Sequence, residues 1–150
     1  MSPAYSHWPA NLAVVVVTIV AIVLCVLTHY EGLVGLSRAL QARRRHQRVK
    51  VVYAILALLL LHVVEIWIFG VAFWGLLQWP ECGALSTRSP HFFDAVYFSA
   101  ITYSTVGYGD MVPVGPIRFM AGTESLVGLV LITWSASFTY LEMQRFWRQL

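Results

Sequence analysis

Charged residues are scarce in this sequence of 150 amino acids. They make up 11% of the chain, whereas soluble domains contain about 25%. Hydrophobic residues reach 59%, and a soluble domain of this length could not cover so much apolar surface. The ten lysines and arginines fall mainly in one short run and at the C-terminus, so the sequence offers no basic face for nucleic acid. The composition therefore predicts a membrane protein.

The sequence also has little of what enzymes and disulfide-rich proteins use. Its two cysteines, Cys25 and Cys82, lie in different surroundings and form neither a metal-binding spacing nor a disulfide framework. The sequence contains no pattern typical of a catalytic triad, a metal cluster or a phosphate-binding loop. We therefore expect a protein that is not an enzyme.

Long apolar runs, by contrast, are abundant. Three stretches supply the roughly 20 apolar residues that a helix needs to cross a bilayer, at about 12–29, 51–77 and 117–141. The first is long for a signal peptide and no positive charge precedes it, so we predict a retained membrane helix. These runs predict an all-α membrane protein with three transmembrane helices.

A basic run between the first two stretches predicts their orientation. Short loops rich in lysine and arginine remain cytoplasmic, so the N-terminus is expected outside and the C-terminus inside. The arginines are contiguous and lie outside a span, which is not the pattern of a voltage sensor. Segment 31–41 alternates leucines with polar residues and predicts an interfacial helix on the cytoplasmic leaflet. Anionic lipids are the expected partners of Arg43, Arg44, Arg45 and Arg48.

The connection 78–116 contains a shorter apolar segment. Residues 79–83 suggest a surface turn, and Ser89-Pro90 suggests a helix start with serine as N-cap. The apolar run 92–103 is too short to span a bilayer, and a glycine-rich stretch follows it. Irregular backbone at membrane depth survives only where protein or a water-filled path surrounds it. We therefore predict a re-entrant helix and loop.

The loop reads Thr105-Val106-Gly107-Tyr108-Gly109, followed by Asp110. T-V-G-Y-G is the sequence whose backbone carbonyls replace the hydration shell of K⁺ in potassium channels. Successive carbonyls can face one axis only if the backbone adopts unusual dihedrals, which glycine tolerates. We predict K⁺ coordination by the carbonyls of Thr105, Val106, Gly107 and Tyr108, with the Thr105 hydroxyl at the inner end. The side chains of Val106 and Tyr108 would point away into packing.

With this motif, the segment 51–141 resembles the pore module of potassium channels, and most closely the bacterial two-helix channels with one added N-terminal helix. The resemblance implies an N-terminal helix and basic linker at 1–50 and a pore domain at 51–150. One pore loop per chain cannot close a ring, so it implies a homotetramer. It further implies passive, selective K⁺ conduction, with K⁺ as the only cofactor, in a bacterial inner membrane.

Three other functions remain open from the sequence. The protein could be a weakly selective cation channel, although Tyr108 argues against this. It could be a pore-loop subunit of a K⁺ transport complex, although such proteins usually carry four loops in one chain. It could also be a non-conducting membrane subunit.

The resemblance also implies roles around the loop. Tyr97 is expected to donate a hydrogen bond to Asp110 and brace the outer mouth; the alternative is a solvated ring of aspartates. Gly128 falls at the position of an inner-helix hinge, but close helix packing would equally require a small residue. For Cys82, a free thiol is favoured over a bridge between chains. The cavity would be lined by Ser125, Leu129, Ile132, Ala136 and Tyr140.

Two carboxylates, Glu65 and Glu124, lie inside predicted spans, where charge is costly and therefore suggests a function. Glu124 is expected to contact Ser and Thr groups of the pore helix and to tune the filter or sense pH. Glu65 could pair with His62, three residues earlier on the same face, or with Arg118. The sequence does not choose between these two partners.

Overall fold

The structure is a computed structural model that describes residues 6–42, 47–86 and 91–147. Its helices are α1 (Trp8–Ala42), α2 (Gln47–Leu77), α3 (Phe92–Tyr103) and α4 (Ile117–Trp147). Helices α1, α2 and α4 are long and apolar enough to cross a membrane, whereas α3 is only 12 residues long. The predicted all-α membrane fold, with three spans and a short fourth helix, is confirmed.

The first helix continues without a break to Ala42. The prediction of a separate interfacial helix at 31–41 is therefore wrong. Leu33, Leu36 and Leu40 are buried in one cluster with Ala54 and Leu58 of α2. Their spacing places them on one side of the helix, and that side packs against α2 instead of a leaflet surface. Arg43, Arg44 and Arg45 lie outside the described residues, and Arg48 is exposed near the start of α2.

The short helix α3 begins two residues later than the sequence suggested. Ser89 and Pro90 lie outside the described residues, and the N-cap is His91 instead of Ser89. The backbone N–H of His91 donates to Asp94 Oδ2 at 2.7 Å, and the His91 side chain accepts from the Asp94 backbone. This reciprocal capping box, with a carboxylate in the first turn, fixes the start of the helix at Phe92.

A small β-ladder joins the segment before α3 to the segment after the loop. Strand β1 (Ala84–Leu85) pairs antiparallel with β2 (Pro113–Val114). Next to it the Ser86 backbone N–H donates to the Val112 carbonyl at 2.9 Å, and Ser86 Oγ accepts from the Val112 N–H at 2.9 Å. The ladder was not predicted, because two-residue strands show no alternation. It anchors the chain where it leaves the loop.

The predicted surface turn at 79–83 contains a 3₁₀ turn, Pro80–Cys82, and its cysteine is not at the surface. Cys82 is a free, fully buried thiol whose Sγ lies 3.9 Å from the carbonyl oxygen of Ala10 in α1. Burial, and secondarily the charge of Glu81, raises the pKa of this thiol. A buried, protonated thiol is consistent with the sequence prediction that Cys82 is a free cysteine and forms no bridge between chains.

Helix α3 is packed tightly between α2 and α4. The rings of Phe98 and Phe73 meet edge to face with centroids 5.0 Å apart. On the other side, a Cβ built on Gly128 would lie 2.0 Å from the carbonyl oxygen of Tyr103. Close packing therefore requires glycine here. Helix α4 runs unbroken through Gly128, and its use as a hinge stays a prediction.

We expect Gly128→Ala to destabilise the protein, because the new methyl group must displace the last residue of α3. Overpacking of this kind costs about 1–3 kcal/mol per chain. The matched control is Gly75→Ala in α2, where a Cβ meets nothing within 4 Å and removal of a helical glycine gains roughly 0.5–1 kcal/mol. Thermal unfolding of the purified protein measures both, and equal shifts for the two variants would contradict the packing assignment.

Candidate functional site

The T-V-G-Y-G loop turns back immediately on the helix that precedes it. The backbone N–H of Thr105 donates to the Thr102 carbonyl at 3.0 Å, and the N–H of Gly107 donates to the Ile101 carbonyl at 3.0 Å. These bonds satisfy carbonyls at the end of α3 that have no partner within the helix. The loop is therefore attached to α3 at its N-terminal end and to the β-ladder at its C-terminal end.

The backbone φ angles of the loop alternate in sign along the chain. Thr105, Gly107 and Gly109 have φ of 59°, 52° and 80°, while the intervening Val106 and Tyr108 have negative φ. Alternation of this kind turns successive peptide groups so that their carbonyls face one side of the chain. The glycines were expected to adopt positive φ. The conformation of Thr105 was not foreseen, and it costs a non-glycine residue about 1–2 kcal/mol. Such strain is typical of functional positions.

The side chains of Val106 and Tyr108 in the loop are largely exposed among the described residues. Val106 is 54% exposed and Tyr108 is 72% exposed. The sequence predicted that both would pack away from the axis. They find little packing among the residues that the structure describes, so where these two side chains pack stays a prediction.

Tyr97 and Asp110 form the predicted hydrogen bond. The Tyr97 hydroxyl donates to Asp110 Oδ2 at 2.8 Å and so joins α3 to the residue that follows the loop. This bond raises the pKa of Tyr97 above its ordinary value of about 10, so the phenol remains a donor at every physiological pH. The alternative of a solvated Asp110 without a partner does not fit this geometry.

We expect Tyr97→Phe to weaken the outer end of the loop. The variant removes one hydrogen bond to a carboxylate and leaves the ring in place, so we expect a small but measurable loss of thermal stability. The measurement is the decrease in unfolding temperature of Tyr97→Phe relative to the wild type, in K⁺ and in Na⁺. The decrease should be larger in K⁺. Tyr30→Phe, at another exposed tyrosine on α1, is the control. The brace is refuted by a Tyr97→Phe variant that behaves as Tyr30→Phe does.

A cleft of about 380 Å³ lies beside the loop, between α3 and α4. Thr102, Thr105, Gly107 and Ser125 are among the residues that line it. The Ser125 hydroxyl lies 3.2 Å from the Thr102 carbonyl, which places this predicted cavity residue beside the end of α3. The other predicted cavity residues are exposed on α4 in the single chain: Leu129, Ile132, Ala136 and Tyr140.

Glu124 contacts the serine of α3, as the sequence suggested. Ser99 Oγ lies 2.8 Å from the Ile66 carbonyl and 2.5 Å from Glu124 Oε1. Ser99 has only one hydrogen for these two oxygens, so both contacts can be hydrogen bonds at the same time only if Glu124 is protonated and donates to Ser99. Glu124 is completely buried, and its Oε2 has no hydrogen-bond partner among the described residues. The arrangement therefore fits a neutral carboxylic acid.

Glu65 lies in a second buried cluster. Its Oε1 is 2.7 Å from His29 Nδ1, its Oε2 is 2.9 Å from His62 Nδ1, and the Tyr103 hydroxyl donates to Oε2. Of the two partners that the sequence offered, His62 is present and Arg118 is not. His29 and Tyr103 were missed because they lie 36 and 38 residues away in the chain.

The same cluster has residue types that bind metals, since His29, His62 and Glu65 bring three ligand atoms within 4.8 Å of one another. Ligands of a tetrahedral zinc stand roughly 3.3 Å apart, since each lies about 2.0–2.1 Å from the ion. Here the histidine nitrogens are 2.7 and 2.9 Å from the carboxylate oxygens. At these separations the groups share hydrogens and leave no room for an ion.

Three potential membrane spans and a short helix that leads into a loop of alternating φ define the class of a pore-loop membrane protein. Residues 50–144 match the family model described as "Ion channel", and the chain belongs to that family. This is not a family of enzymes. The membership predicted from the pore loop is confirmed.

Two curated proteins are similar over shorter segments. The inward rectifier potassium channel Kirbac3.1 of Paramagnetospirillum magnetotacticum is 33% identical over 72 residues, which are 46% of this chain and 24% of that protein. Protein LctB of Bacillus caldotenax is 45% identical over 38 residues, 25% of this chain and 28% of LctB. The matches thus span about a quarter of each relative's length. No solved structure gives a significant match.

Proposed function

We propose that this chain is one subunit of a homotetrameric channel that conducts K⁺ passively and selectively. The observation that carries the proposal is the alternating backbone of Thr105, Val106, Gly107, Tyr108 and Gly109. Four such loops around one axis would stack rings of carbonyl oxygens, which replace the water around a dehydrated K⁺. The similarity to an inward rectifier potassium channel supports the same choice of ion.

The exposed loop supports the tetramer. Val106 and Tyr108 are largely uncovered, although their type favours burial. On α4, Leu126, Leu129 and Val130 are each more than half exposed. A closed ring of four copies would cover these groups, and closed cyclic assemblies are the common solution for identical subunits.

The charge distribution supports one orientation. The basic segment around Arg48 would be cytoplasmic, which directs α1 inward, α2 outward and α4 inward. The loop then enters from outside, with Asp110 at the outer end and Thr105 at the inner end. The C-terminal end of α3, which carries the negative end of the helix dipole, would favour a cation below the filter. A bacterial inner membrane, with anionic lipids at the basic segment, fits this arrangement.

Two measurements on the purified protein test the proposal. Its mass in detergent, after subtraction of bound detergent, should equal four chains. Liposomes loaded with K⁺ should then release it down a gradient when the protein is present, and liposomes loaded with Na⁺ should not. Equal release of both ions would indicate a weakly selective cation channel. Release of neither would leave a subunit of a transport complex or a non-conducting membrane subunit as the function.

A further inference from the structure

Tyr103 links the filter to the rest of the protein. It is the last residue of α3, two residues before Thr105, and its side chain is 1% exposed. Its carbonyl oxygen lies against Gly128 of α4, while its hydroxyl reaches Glu65 of α2. Any movement of this residue is transmitted directly into the inner end of the loop, because only Ser104 lies between.

Hydrogen counting assigns the roles inside the cluster. Tyr103 has one hydroxyl hydrogen and gives it to Glu65 Oε2. Its oxygen also lies 3.0 Å from His62 Nδ1, so that nitrogen carries a hydrogen; Glu65 Oε2 is 2.9 Å from the same nitrogen, and the two oxygens share this one hydrogen. Glu65 Oε1 has His29 Nδ1 as its donor at 2.7 Å. Glu65 is therefore a carboxylate whose two oxygens accept from three side chains on three helices.

His29 brings the first helix into this set. It is fully buried, its ring lies 5.1 Å from that of Trp134 in α4, and its Nε2 has no hydrogen-bond partner among the described residues. A buried N–H without an acceptor is costly, so His29 is the neutral tautomer with its hydrogen on Nδ1. It thus serves as a donor to Glu65 and has no other polar contact among the described residues.

We propose that Glu65 is a positioning residue for the selectivity filter, and that His29 makes the first helix part of the filter's support. The carboxylate holds the Tyr103 hydroxyl, and Tyr103 holds the inner end of the loop at Thr105. His29 orients the carboxylate from the opposite side. The inference rests on the proposed function, since it assigns α1 a role in selectivity beyond anchoring the chain in the membrane.

If α1 only stabilised the packing of the helices, its other contacts with α2 should matter as much as His29 does. Cys25 lies one turn before His29, is equally buried, and has its Sγ 3.7 Å from the backbone carbonyl of Glu65. It contacts the same residue without touching the carboxylate. Cys25→Ala is therefore the matched control, because it loosens helix packing at the same depth and leaves the hydrogen bonds to the carboxylate intact.

The experiment compares five variants, Cys25→Ala among them, as assembled channels in planar bilayers, with the Na⁺/K⁺ permeability ratio taken from the reversal potential. His29→Phe and Tyr103→Phe each remove a donor to Glu65 and keep an aromatic ring. Each should raise the ratio at least several-fold. The double variant should raise it no further than the larger single change, because both act through one carboxylate. His29→Asn places an amide nitrogen near the position of Nδ1 and should restore the wild-type ratio.

The outcomes separate this inference from the proposed function. A wild-type channel without K⁺ selectivity would defeat the proposed function itself. A selective wild type whose ratio is unchanged in His29→Phe would overturn the inference alone. So would a Cys25→Ala channel with the same loss of selectivity as His29→Phe, since helix packing would then explain the effect. Wild-type selectivity in Cys25→Ala and His29→Asn, with loss in the two phenylalanine variants, supports it.

Discussion

Replacement of Gly107 by alanine is expected to abolish K⁺ selectivity. Gly107 has φ of 52°, a conformation that costs an L-residue about 1–2 kcal/mol. In the proposed homotetramer, four identical subunits would multiply this to about 4–8 kcal/mol. Thr105 already occupies the same strained region of φ, so the loop can accommodate little additional backbone strain. The backbone should relax to negative φ, and the carbonyls of the loop would then no longer face one side of the chain.

The size of this effect is checked against a glycine without such a constraint. Gly35 in α1 has ordinary helical backbone, and a Cβ there meets nothing within 4 Å. Gly35→Ala should therefore assemble and conduct as the wild type does. Reversal potentials of both variants under a K⁺/Na⁺ gradient provide the measurement. A Gly107→Ala channel that keeps the wild-type reversal potential would show that positive φ at this position is not required for selectivity.

Replacement by glutamine is expected to destabilise the protein more at Glu65 than at Glu124. In Glu65→Gln, one carboxylate oxygen becomes an NH₂ group that faces a donor, either His29 or Tyr103 and His62. A buried donor left without an acceptor costs about 1–3 kcal/mol, and more where the lost acceptor was charged. In Glu124→Gln, the amide can still donate to Ser99, as the neutral acid does. That change should cost less than about 1.5 kcal/mol, since volume and hydrogen bond are both conserved.

Midpoints of thermal unfolding in the same detergent and K⁺ concentration compare the two variants directly. Each serves as the control for the other, because both change one oxygen to nitrogen at a fully buried position. Similar destabilisation by the two changes would contradict the assignment of Glu65 as the ionised and Glu124 as the neutral residue.

The parts of this molecule that sequence could predict are those encoded locally. A run of apolar residues defines a span, and five consecutive residues define the loop. The Tyr97–Asp110 hydrogen bond was predictable because the resemblance supplied the register between α3 and the loop. Continuity of α1 through Ala42 was missed, because the leucines at 31–41 suit a leaflet surface and a neighbouring helix equally well.

The parts that could not be predicted depend on how distant segments meet. His29 is one polar residue at the end of an apolar run, and nothing in its neighbourhood indicates Glu65 as its partner. The pairing exists because α1 and α2 pack with a particular rotation, which sequence periodicity alone does not specify. Likewise the positive φ of Thr105 follows from attachment of the loop at both ends, at α3 and at the β-ladder.

The reversal potential of the purified wild-type protein, with K⁺ on one side of a planar bilayer and Na⁺ on the other, tests the central claim most directly. The alternating loop from Thr105 to Gly109 predicts a current carried by K⁺ alone. The reversal potential should therefore shift with the K⁺ gradient as the Nernst equation requires and should ignore changes in Na⁺. A potential that follows both ions equally, or that does not respond to K⁺, would contradict the assignment of this loop as a potassium selectivity filter.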